Sequence, residues 1–482
     1  MSFYDVCIVG AGVVGMNIAR ELAKYELKVC VLERCDDVSC GCSKANSGIV
    51  HGGYSDEPGT LKAELCVKGN RMYRQLEEEL HFGYRETGSM VLAFRDEDVE
   101  KLHKIEAKGQ KNGVGGLSII DGDRAREIEP YLSKDVKAAL YCKNAGVTSP
   151  YEFVIALAEN AVENGVELRL NSEVTAIEKT NDGFKVTAAN AETVTARYVI
   201  NSAGVYSDKV SAMLGIDDYK ITPRRGQYVL LEKEQSYLAQ SVIFQVPTEL
   251  GKGILVTTTY HGNLLVGPNA EEIDDKEDVG TDAKTLEHIV QTARLSVPDF
   301  DMKKAITSFA GNRPISNCKD WVIEESRVPG FINLIGIDSP GLTSSPAIAV
   351  MVKGILVQAG LSLVNKANFN PLRKAIIRKK DAAFKGDINA TDPNEHIICR
   401  CEQVTEAEII DALHRGIAVK SIDAIKRRTR AGQGKCQGAF CGSRVRKLIA
   451  DELNITQEEV TQRGPGSSIL PERAKRGEFI KL

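Results

Sequence analysis

Four cysteines near the C-terminus have the spacing of a metal or cluster site. Cys399 and Cys401 form a CxC pair, and after a gap of 34 residues Cys436 and Cys441 form a Cx4C pair. Four thiolates can hold a structural zinc ion or a 2Fe-2S cluster. Zinc ribbons prefer two CxxC pairs, so this spacing fits zinc poorly. Small residues around Cys436 and Cys441 would also let backbone amides approach the sulfur atoms and tune the potential of a cluster.

Three glycines near the N-terminus have the spacing of a dinucleotide site. Gly10, Gly12 and Gly15 form a GxGxxG motif between an apolar strand pattern and a helical pattern, and Glu33 ends the next apolar segment. We expect Gly10 to make the tight turn, Gly12 to let the backbone approach a pyrophosphate and Gly15 to let the helix pack on the strand. The helix N-terminus supplies N–H groups to the phosphates, and Glu33 would bind the ribose hydroxyls. The polar loop that follows, CGCSKANSGIVHGGY, favours FAD over NAD.

The elements that must position these residues alternate between strand and helix patterns. Residues 4–34 predict a strand–helix–strand unit, and helices are predicted near 61–80, 150–165 and 344–360. Alternating strand patterns dominate from 221 to 270. The segments SFAGNRP and FINLIGI are expected to return to the nucleotide-binding sheet. We therefore predict an α/β fold, α+β overall, in which a Rossmann-like FAD-binding domain is interleaved with a mostly antiparallel substrate domain and followed by a small iron–sulfur domain.

The same patterns predict the domain boundaries. The FAD-binding domain is discontinuous, and a polar tail is expected to wrap a neighbouring surface. The boundaries are 1–85, 141–220 and 305–365 for the FAD-binding domain, 86–140 and 221–304 for the substrate domain, 366–395 for a linker, 396–450 for the iron–sulfur domain and 451–482 for the tail.

Composition excludes several classes of protein. The chain has 482 residues, of which 43% are hydrophobic and 27% charged, as in a globular protein of two or three domains. A net charge of −4 gives no electrostatic basis for nucleic-acid binding. No apolar run approaches the roughly 18–20 residues that cross a bilayer, and the N-terminus lacks the regions of a signal peptide. We expect a cytoplasmic protein, brought to the inner face of the membrane, if at all, through a partner.

Several motifs resemble one flavoprotein superfamily. Besides Gly10–Gly15 they are NSGIVHGGY, NSAGVYSD, HGNLLVGP, FAGNRP and GIDSPGLTSSPAIA, and they span roughly residues 4–360. They resemble the D-amino-acid-oxidase-like (DAO) family, and within it the glycerol-3-phosphate dehydrogenases and the L-2-hydroxyglutarate dehydrogenases or oxidases. The resemblance implies that FAD is the cofactor and that the substrate lies between the flavin and a mostly antiparallel sheet.

A set of FAD-contacting residues follows from the motifs and the resemblance. They come from the glycine motif, the polar loop, later strands and the start of the closing helix. They are Gly10, Gly12, Gly15, Glu33, Ser43, Asn46, Ser47, Val174, Ala203, Gly204, Gly311, Gly341, Leu342 and Thr343.

Three residues are candidates for the chemistry. Oxidation of a secondary alcohol needs a base for the hydroxyl proton, and His51 in the polar loop is the first candidate, with flavin binding as its alternative role. His261 in TTTYHGNLLVGP lies on the sheet that the resemblance places over the substrate, and capping of a turn is its alternative. Arg313 in FAGNRP matches an arginine that the family places at the substrate, with a flavin contact or a surface ion pair as its alternative roles. Because a guanidinium binds carboxylate or phosphate in two-pronged fashion, we expect a small anionic substrate.

The cysteine module carries a second resemblance. The segments CRCEQVTEAEI and KCQGAFCG resemble the bacterioferritin-associated-ferredoxin-like 2Fe-2S domain, and the appended module resembles that of anaerobic glycerol-3-phosphate dehydrogenase catalytic subunits. The resemblance implies oxidation of sn-glycerol 3-phosphate to dihydroxyacetone phosphate. Electrons would leave through the cluster to an electron-accepting flavoprotein, an iron–sulfur subunit or the quinone pool. A cluster that moves one electron at a time suits a dehydrogenase with a non-oxygen acceptor.

Three alternatives stay open. The segment NSGIVHGGYSDEPGTLKAELCVKGN looks more like the L-2-hydroxyglutarate branch, because Tyr54 and Ser55 stand where membrane-bound glycerol-3-phosphate oxidases carry an arginine. An amine or imino-acid dehydrogenase subunit is the second alternative. The third is a non-enzymatic iron–sulfur redox protein, against which the extensive substrate-domain sequence argues.

A second group of cysteines lies after the second strand pattern. Cys30 is expected to be buried within that strand. Cys35, Cys40 and Cys42 have a spacing that fits no metal site, so we expect unliganded thiols there.

Overall fold

The computed structural model describes residues 3–247, 253–377, 380, 383–384 and 386–470. In chain order its strands are β1 (Phe3–Val9), β2 (Val29–Leu32), β3 (Ile49–Val50), β4 (Tyr84–Glu86), β5 (Ser89–Ala93), β6 (Leu117–Asp121), β7 (Ala138–Cys142), β8 (Gly146–Thr148), β9 (Glu167–Arg169), β10 (Val174–Thr180), β11 (Gly183–Ala188), β12 (Thr193–Asn201), β13 (Ile221–Leu231), β14 (Val242–Gln245), β15 (Leu255–Thr258), β16 (Leu264–Gly267), β17 (Glu271–Glu272), β18 (Ala305–Ser316), β19 (Val322–Glu325), β20 (Phe331–Ile335), β21 (Ile397–Cys399) and β22 (Val404–Thr405). The α-helices are α1 (Val13–Leu22), α2 (Leu61–Leu80), α3 (Asp96–Lys111), α4 (Gly122–Ile128), α5 (Pro150–Glu163), α6 (Ser207–Ala212), α7 (Ala283–Arg294), α8 (Gly341–Gln358), α9 (Glu406–Leu413), α10 (Ile422–Thr429) and α11 (Gly442–Leu453).

The first large sheet has eight strands in the order β10-β11-β12-β1-β2-β9, with β20 and β19 attached beside β12. Its parallel centre is apolar on both faces, as the unbroken apolar runs predict. Val6 and Ile8 of β1 face the core that includes α1, α5 and α8, and Cys7 and Val9 face a second core with β11 and β12. The carboxyl ends of β1 and β2 therefore meet at one edge, where the glycine motif and Glu33 follow them.

The second large sheet has nine strands in the order β17-β13-β16-β15-β14-β5-β7-β6, with β18 beside β13. Here the prediction for SFAGNRP is wrong, because β18 pairs with β13 along its whole length, from Ile221 opposite Ser316 to Leu231 opposite Ala305. FINLIGI does return to the first sheet as β20. A short apolar pattern suits either sheet, and the partner that decides between them is about 80 residues away in the chain. The consequence is that Arg313 stands on the second sheet.

The C-terminal module consists of β21, β22 and α9 to α11. Its apolar side chains join those under α1 and α8 in one continuous core. Arg427 and Arg428 of α10 both contact the carboxylate of Asp37, in the loop after β2, at 2.7 and 2.6 Å. Asp37 is 0% exposed and Arg428 2%. A buried charge triad therefore anchors the module to the nucleotide-binding sheet.

The start of the predicted linker is packed on the first domain. The Arg373 side chain donates to Glu159 Oε2 at 2.6 Å and to the Leu80 carbonyl at 3.1 Å. Beyond the module, Thr461 makes an isolated bridge to Ser421. The parts of the linker and tail that the structure describes are thus held against neighbouring elements.

Helix α8 is the one described helix that is long and apolar enough to cross a membrane, with a mean hydropathy of 1.3. However, 56% of it is buried inside the protein, where it packs against α1 and α2. Its composition is that of a core helix of the nucleotide-binding domain.

Candidate active site and cluster site

A cavity of about 1350 Å³ is lined by residues from both large sheets. Ligand pockets of small molecules typically measure about 300–1,000 Å³, so this one has room for a dinucleotide and a small substrate together. Its floor is the glycine turn after β1, and its other wall is formed by β13, β18 and α7.

The glycine turn has the geometry of a pyrophosphate site. Gly10 has φ +101°, and a Cβ there would lie 2.8 Å from the Ser202 carbonyl oxygen. A Cβ on Gly15 would lie 2.1 Å from the Gly10 carbonyl oxygen, so both positions require glycine. Helix α1 starts at Val13, and Gly12, Val13 and Val14 at its N-terminus line the cavity, where the positive end of a helix favours a phosphate. The Val13 N–H donates to Ser43 Oγ at 2.9 Å. Glu33 accepts from the backbone N–H groups of Ala11 and Cys35 at 2.7 and 3.0 Å, which fixes its carboxylate beside the turn.

Most of the predicted FAD residues line this cavity. Gly15 and Thr343 do not. Gly15 packs helix against strand as predicted, and the Thr343 hydroxyl accepts from the His51 N–H and donates to the Ile49 carbonyl. The predicted residues that line the cavity are Gly10, Gly12, Glu33, Ser43, Asn46, Ser47, Val174, Ala203, Gly204, Gly311, Gly341 and Leu342.

His51 also lines the cavity. It follows β3, and its ring stacks on Phe244 of β14 with centroids 6.0 Å apart and planes at 26°. Its backbone N–H donates to Thr343 Oγ1 at 2.9 Å. The start of α8 and strand β14 of the second sheet thereby hold the residue in the cavity wall.

Arg313 lines the same cavity from β18. Its Nε and Nη2 donate to the carbonyl oxygens of Arg224 and Asn269 at 3.3 and 2.8 Å. These contacts orient the guanidinium without neutralising it, and no carboxylate of the described residues forms an ion pair with it. Arg313 can therefore attract an anion into the cavity.

His261 is placed elsewhere, in the turn between β15 and β16. It is absent from the described residues that line the cavity, and its Nε2 lies 2.5 Å from Oε1 of Glu152. Burial lowers the pKa of His261. Arg430 of the C-terminal module donates to Tyr151 and Asn263 beside it, at 3.1 and 3.3 Å. The structure thus separates His261 from His51 and places it at the contact with the module.

Three basic residues that sequence reasoning missed also belong to the cavity wall. Lys284 and His288 of α7 line the cavity, as does Lys62 of α2. Lys284 and His288 are four residues apart, so they lie on one face of the helix. That spacing was the available signal, but only the packing of α7 shows that this face turns to the cavity.

The four C-terminal cysteines come together as two pairs. Sγ of Cys401 lies 3.5 Å from Sγ of Cys436, and the thiols of Cys399 and Cys441 share a hydrogen bond. Two thiolates on one metal at about 2.3 Å each would be roughly 3.7 Å apart. In the described chain no group of three or more His, Cys, Asp or Glu meets the spacing of a metal site. The four thiols together would hold a 2Fe-2S cluster, which needs four cysteine ligands.

Backbone N–H groups surround these sulfur atoms. Hydrogen bonds from the Cys441 thiol and from the N–H groups of Gly432 and Glu402 lower the pKa of Cys399 to about 6. A hydrogen bond from the Phe440 N–H is the main cause that lowers the pKa of Cys436. The pKa of the partner thiol in each pair, Cys441 and Cys401, is raised, so each pair favours one thiolate hydrogen-bonded to one thiol. Backbone N–H groups that donate to ligand sulfur atoms are typical of cluster sites.

Gly434→Ala should reduce the cluster content of the protein. A Cβ at Gly434 would lie 2.3 Å from Cβ of Cys401, so the loop must shift, at a cost of about 1–3 kcal/mol. We expect less iron and acid-labile sulfide per chain, with unchanged flavin content. Gly442→Ala is the matched control, because nothing lies within 4 Å of its Cβ position. Equal cluster content in both variants would contradict the crowding argument.

Cys35, Cys40 and Cys42 line the cavity, and Cys30 is 0% exposed in β2. Cys35 and Cys40 hydrogen-bond each other. Burial raises the pKa of Cys42 to about 11, so this thiol is protonated at neutral pH.

Comparison with known proteins covers both parts of the site. The family model described as FAD dependent oxidoreductase (DAO) matches residues 5–353, and the model described as BFD-like [2Fe-2S] binding domain matches residues 397–451. The chain is similar to glycerol 3-phosphate dehydrogenase of Caloramator mitchellensis, with 46% identity over 471 residues, which is 97% of this chain and 98% of that protein.

Two further matches differ in how much of this chain they cover. Anaerobic glycerol-3-phosphate dehydrogenase subunit A1 of Haloferax volcanii is 26% identical over 529 residues, with 98% of this chain and 86% of that protein covered. The structure of dithionite-reduced L-alpha-glycerophosphate oxidase from Mycoplasma pneumoniae with FAD bound has a TM-score of 0.74 and 31% identity, covering 77% of this chain and 99% of its own.

Proposed function

The chain belongs to the FAD dependent oxidoreductase family, and from this we propose that it oxidises sn-glycerol 3-phosphate to dihydroxyacetone phosphate and passes the electrons through a 2Fe-2S cluster to a partner. The observation that carries the proposal is that His51 and Arg313 line one cavity together with the glycine turn. The glycerol 3-phosphate dehydrogenase of Caloramator mitchellensis supports the choice of substrate, because the similarity extends over 97% of this chain and includes the cysteine module.

The residues of the cavity have separate roles in alcohol oxidation. FAD, held by the glycine turn and Glu33, would accept a hydride from C2 of the substrate. His51 removes the proton of the C2 hydroxyl, and its stacking on Phe244 holds the imidazole in place for this transfer. Arg313 binds the phosphate and thereby positions C2. Lys284, on the inward face of α7, adds positive potential on the same side.

The electrons leave as single equivalents. A two-electron donor in the same chain as a one-electron cluster suits delivery to a redox partner, and the similarity to an anaerobic glycerol-3-phosphate dehydrogenase subunit supports this. We infer that the enzyme works in the cytoplasm and meets the membrane through such a partner.

Anaerobic bleaching of the flavin tests the substrate. Protein purified without air is mixed with sn-glycerol 3-phosphate, L-2-hydroxyglutarate or L-proline, and the flavin absorbance is followed. We expect glycerol 3-phosphate alone to bleach the flavin. Bleaching by L-2-hydroxyglutarate alone would move the assignment to the 2-hydroxy acid branch, and bleaching by L-proline alone would move it to the imino-acid dehydrogenases.

Arg313→Lys should weaken substrate binding more than it slows the chemistry. A lysine keeps the charge but loses the two-pronged contact, which is worth about 1.5–3 kcal/mol. We expect KM for glycerol 3-phosphate to rise about 10- to 100-fold, with a smaller change in kcat. Steady-state assays with an artificial dye measure both constants. Arg74→Lys, in an exposed pair with Glu86, is the control. An unchanged KM in the Arg313 variant would remove this residue from the phosphate site.

A further inference from the structure

The two thiol pairs differ in exposure. Cys399 and Cys441 are each 1% exposed, whereas Cys401 and Cys436 are half-buried. The thiols that would hold the cluster thus lie partly in the module's core and partly near its surface. The Cys401–Cys436 side is therefore the side on which an external acceptor comes nearest to the cluster.

Basic residues flank this outer pair in the chain. Arg400 lies next to Cys401, and Lys435 lies next to Cys436. Both basic residues are exposed. Each of these two positive charges is therefore carried by the residue directly before a cluster ligand in the chain.

A third basic residue is held there by an aromatic ring. The guanidinium carbons of Arg400 and Arg444 lie 4.2 and 4.1 Å from the ring centre of Phe440, and the Phe440 N–H donates to Cys436. Two cation–π contacts on one ring fix both guanidiniums beside the outer pair. We call Arg400, Lys435 and Arg444 the basic edge.

Few acidic groups offset these charges. Residues 431–450 contain no Asp or Glu. Glu402, next to Cys401, has a side chain 5% exposed and is paired with Arg430 at 2.7 Å. Glu234 is within electrostatic reach of Lys435 but is already paired with a lysine of its own domain. In the part of the chain that the structure describes, the exposed side of the cluster site thus carries a net positive charge.

We propose that the basic edge is the docking surface for an acidic one-electron carrier protein, which would accept electrons from the outer pair's side of the cluster. The proposal rests on the proposed function and adds the kind of partner and the place where it binds. Complementary charge brings two redox proteins together quickly in the orientation that joins their centres. The 2Fe-2S cluster would pass one electron to the carrier in each encounter, so that two encounters discharge the two electrons taken from one substrate molecule.

Two other occupants fit the surface less well. A quinone is apolar and would need an apolar slot, whereas the exposed residues beside the basic edge are Gln437, Ala439 and Ser443. An anionic membrane would be attracted by the same charges. It offers no redox centre, so it would leave unexplained why the charges flank the cluster ligands.

The test uses the full-length protein with FAD and cluster, and oxidised flavodoxin as the acidic carrier. Two variants carry Lys435→Glu alone or together with Arg400→Glu, and Lys111→Glu, an exposed lysine of α3, is the control. We expect flavodoxin binding to weaken at least about tenfold in the double variant and its salt dependence to become flatter. The rate of flavodoxin reduction should fall in parallel, while Lys111→Glu behaves like the wild type.

Two further measurements separate the possible failures. Flavin bleaching by glycerol 3-phosphate and the iron content should be the same in all variants, because the substitutions avoid the cavity and the ligands. Suppose that the wild type binds and reduces flavodoxin equally well at low and high salt, and that the double variant does so as well as the wild type. This result would overturn the docking proposal, while bleaching would still support the function. Charge-dependent binding to vesicles containing phosphatidylserine, without binding to flavodoxin, would overturn it in favour of a membrane. Absence of bleaching in the wild type would instead remove the proposed function.

Discussion

Replacing His51 by Gln should lower kcat for glycerol 3-phosphate by about 10²–10⁴-fold, the usual contribution of a positioned general base. Glutamine is close in size and can keep hydrogen-bond contacts, but it cannot take a proton at neutral pH. The backbone contact to Thr343 Oγ1 does not depend on the side chain. The FAD site should therefore remain formed, and the loss should lie in the proton transfer.

Stopped-flow reduction of the flavin under anaerobic conditions measures this loss. The variant should bind substrate with a near-normal Kd and reduce the flavin slowly, and raising the pH should recover part of the rate as the substrate hydroxyl ionises more readily. His103→Gln is the control, because His103 has a side chain 64% exposed on α3. A His51 variant that reduces the flavin within threefold of the wild-type rate, roughly within 0.7 kcal/mol, would show that another group accepts the proton.

Asp37→Ala should be the most destabilising single change at the contact between the module and the nucleotide-binding sheet. It leaves the guanidinium of Arg428 buried without its counter-charge, which costs about 3–5 kcal/mol. Arg427 keeps one carboxylate partner, Asp423, at 3.1 Å. Arg428 loses both of its contacts with the carboxylate, at 2.6 and 2.8 Å. We expect a lower urea midpoint and faster hydrogen exchange in α10.

The control for this variant is Asp411→Ala. Asp411 pairs with Arg415, but its side chain is 41% exposed, so its loss should cost less than about 1 kcal/mol. Equal effects of the two variants would mean that the buried triad contributes no more than a surface pair. The variant Asp37→Asn, which keeps the volume of the side chain, separates loss of charge from loss of packing.

The triad also predicts a pH dependence. Burial alone would raise the pKa of Asp37, but the two guanidiniums outweigh it and lower the pKa below its ordinary value of 3.8. The folded protein therefore favours the carboxylate, and the stabilisation is present above the ordinary pKa and is lost as the pH falls through the lower native pKa. The difference in unfolding free energy between wild type and Asp37→Asn should be constant near neutral pH and shrink only in strong acid.

Residues whose roles depend on local backbone were predictable from the sequence. The glycine turn needs a positive φ at Gly10 and close approach at Gly15, and both requirements select glycine within six residues. Glu33 follows because parallel strands bring their carboxyl ends together. Short spacings marked the four cysteines of the cluster site, but the thiol pairs, Cys401 with Cys436 and Cys399 with Cys441, form across the long gap between the two motifs.

Residues whose roles depend on distant packing were not predictable. His261 sits in a motif that suggested the substrate, yet the turn that carries it faces Glu152 and the C-terminal module. β18 was assigned to the wrong sheet because its partner is far away in the chain. The contact of Asp37 with Arg427 joins residues 390 positions apart, and no local pattern marks either one.

The continuous core between the first domain and the C-terminal module limits how the chain can be shortened. Ile398, Ile409 and Ile449 of the module share one apolar cluster with Ile8 and Ile348. Cutting the chain before residue 396 would expose to water the part of that cluster on α5, against which α10 packs. An exposed apolar face of this kind promotes aggregation. A shorter enzyme without the module would have to replace those contacts with polar residues or with another subunit. Limited digestion with trypsin should accordingly yield no stable yellow fragment that lacks the four cysteines.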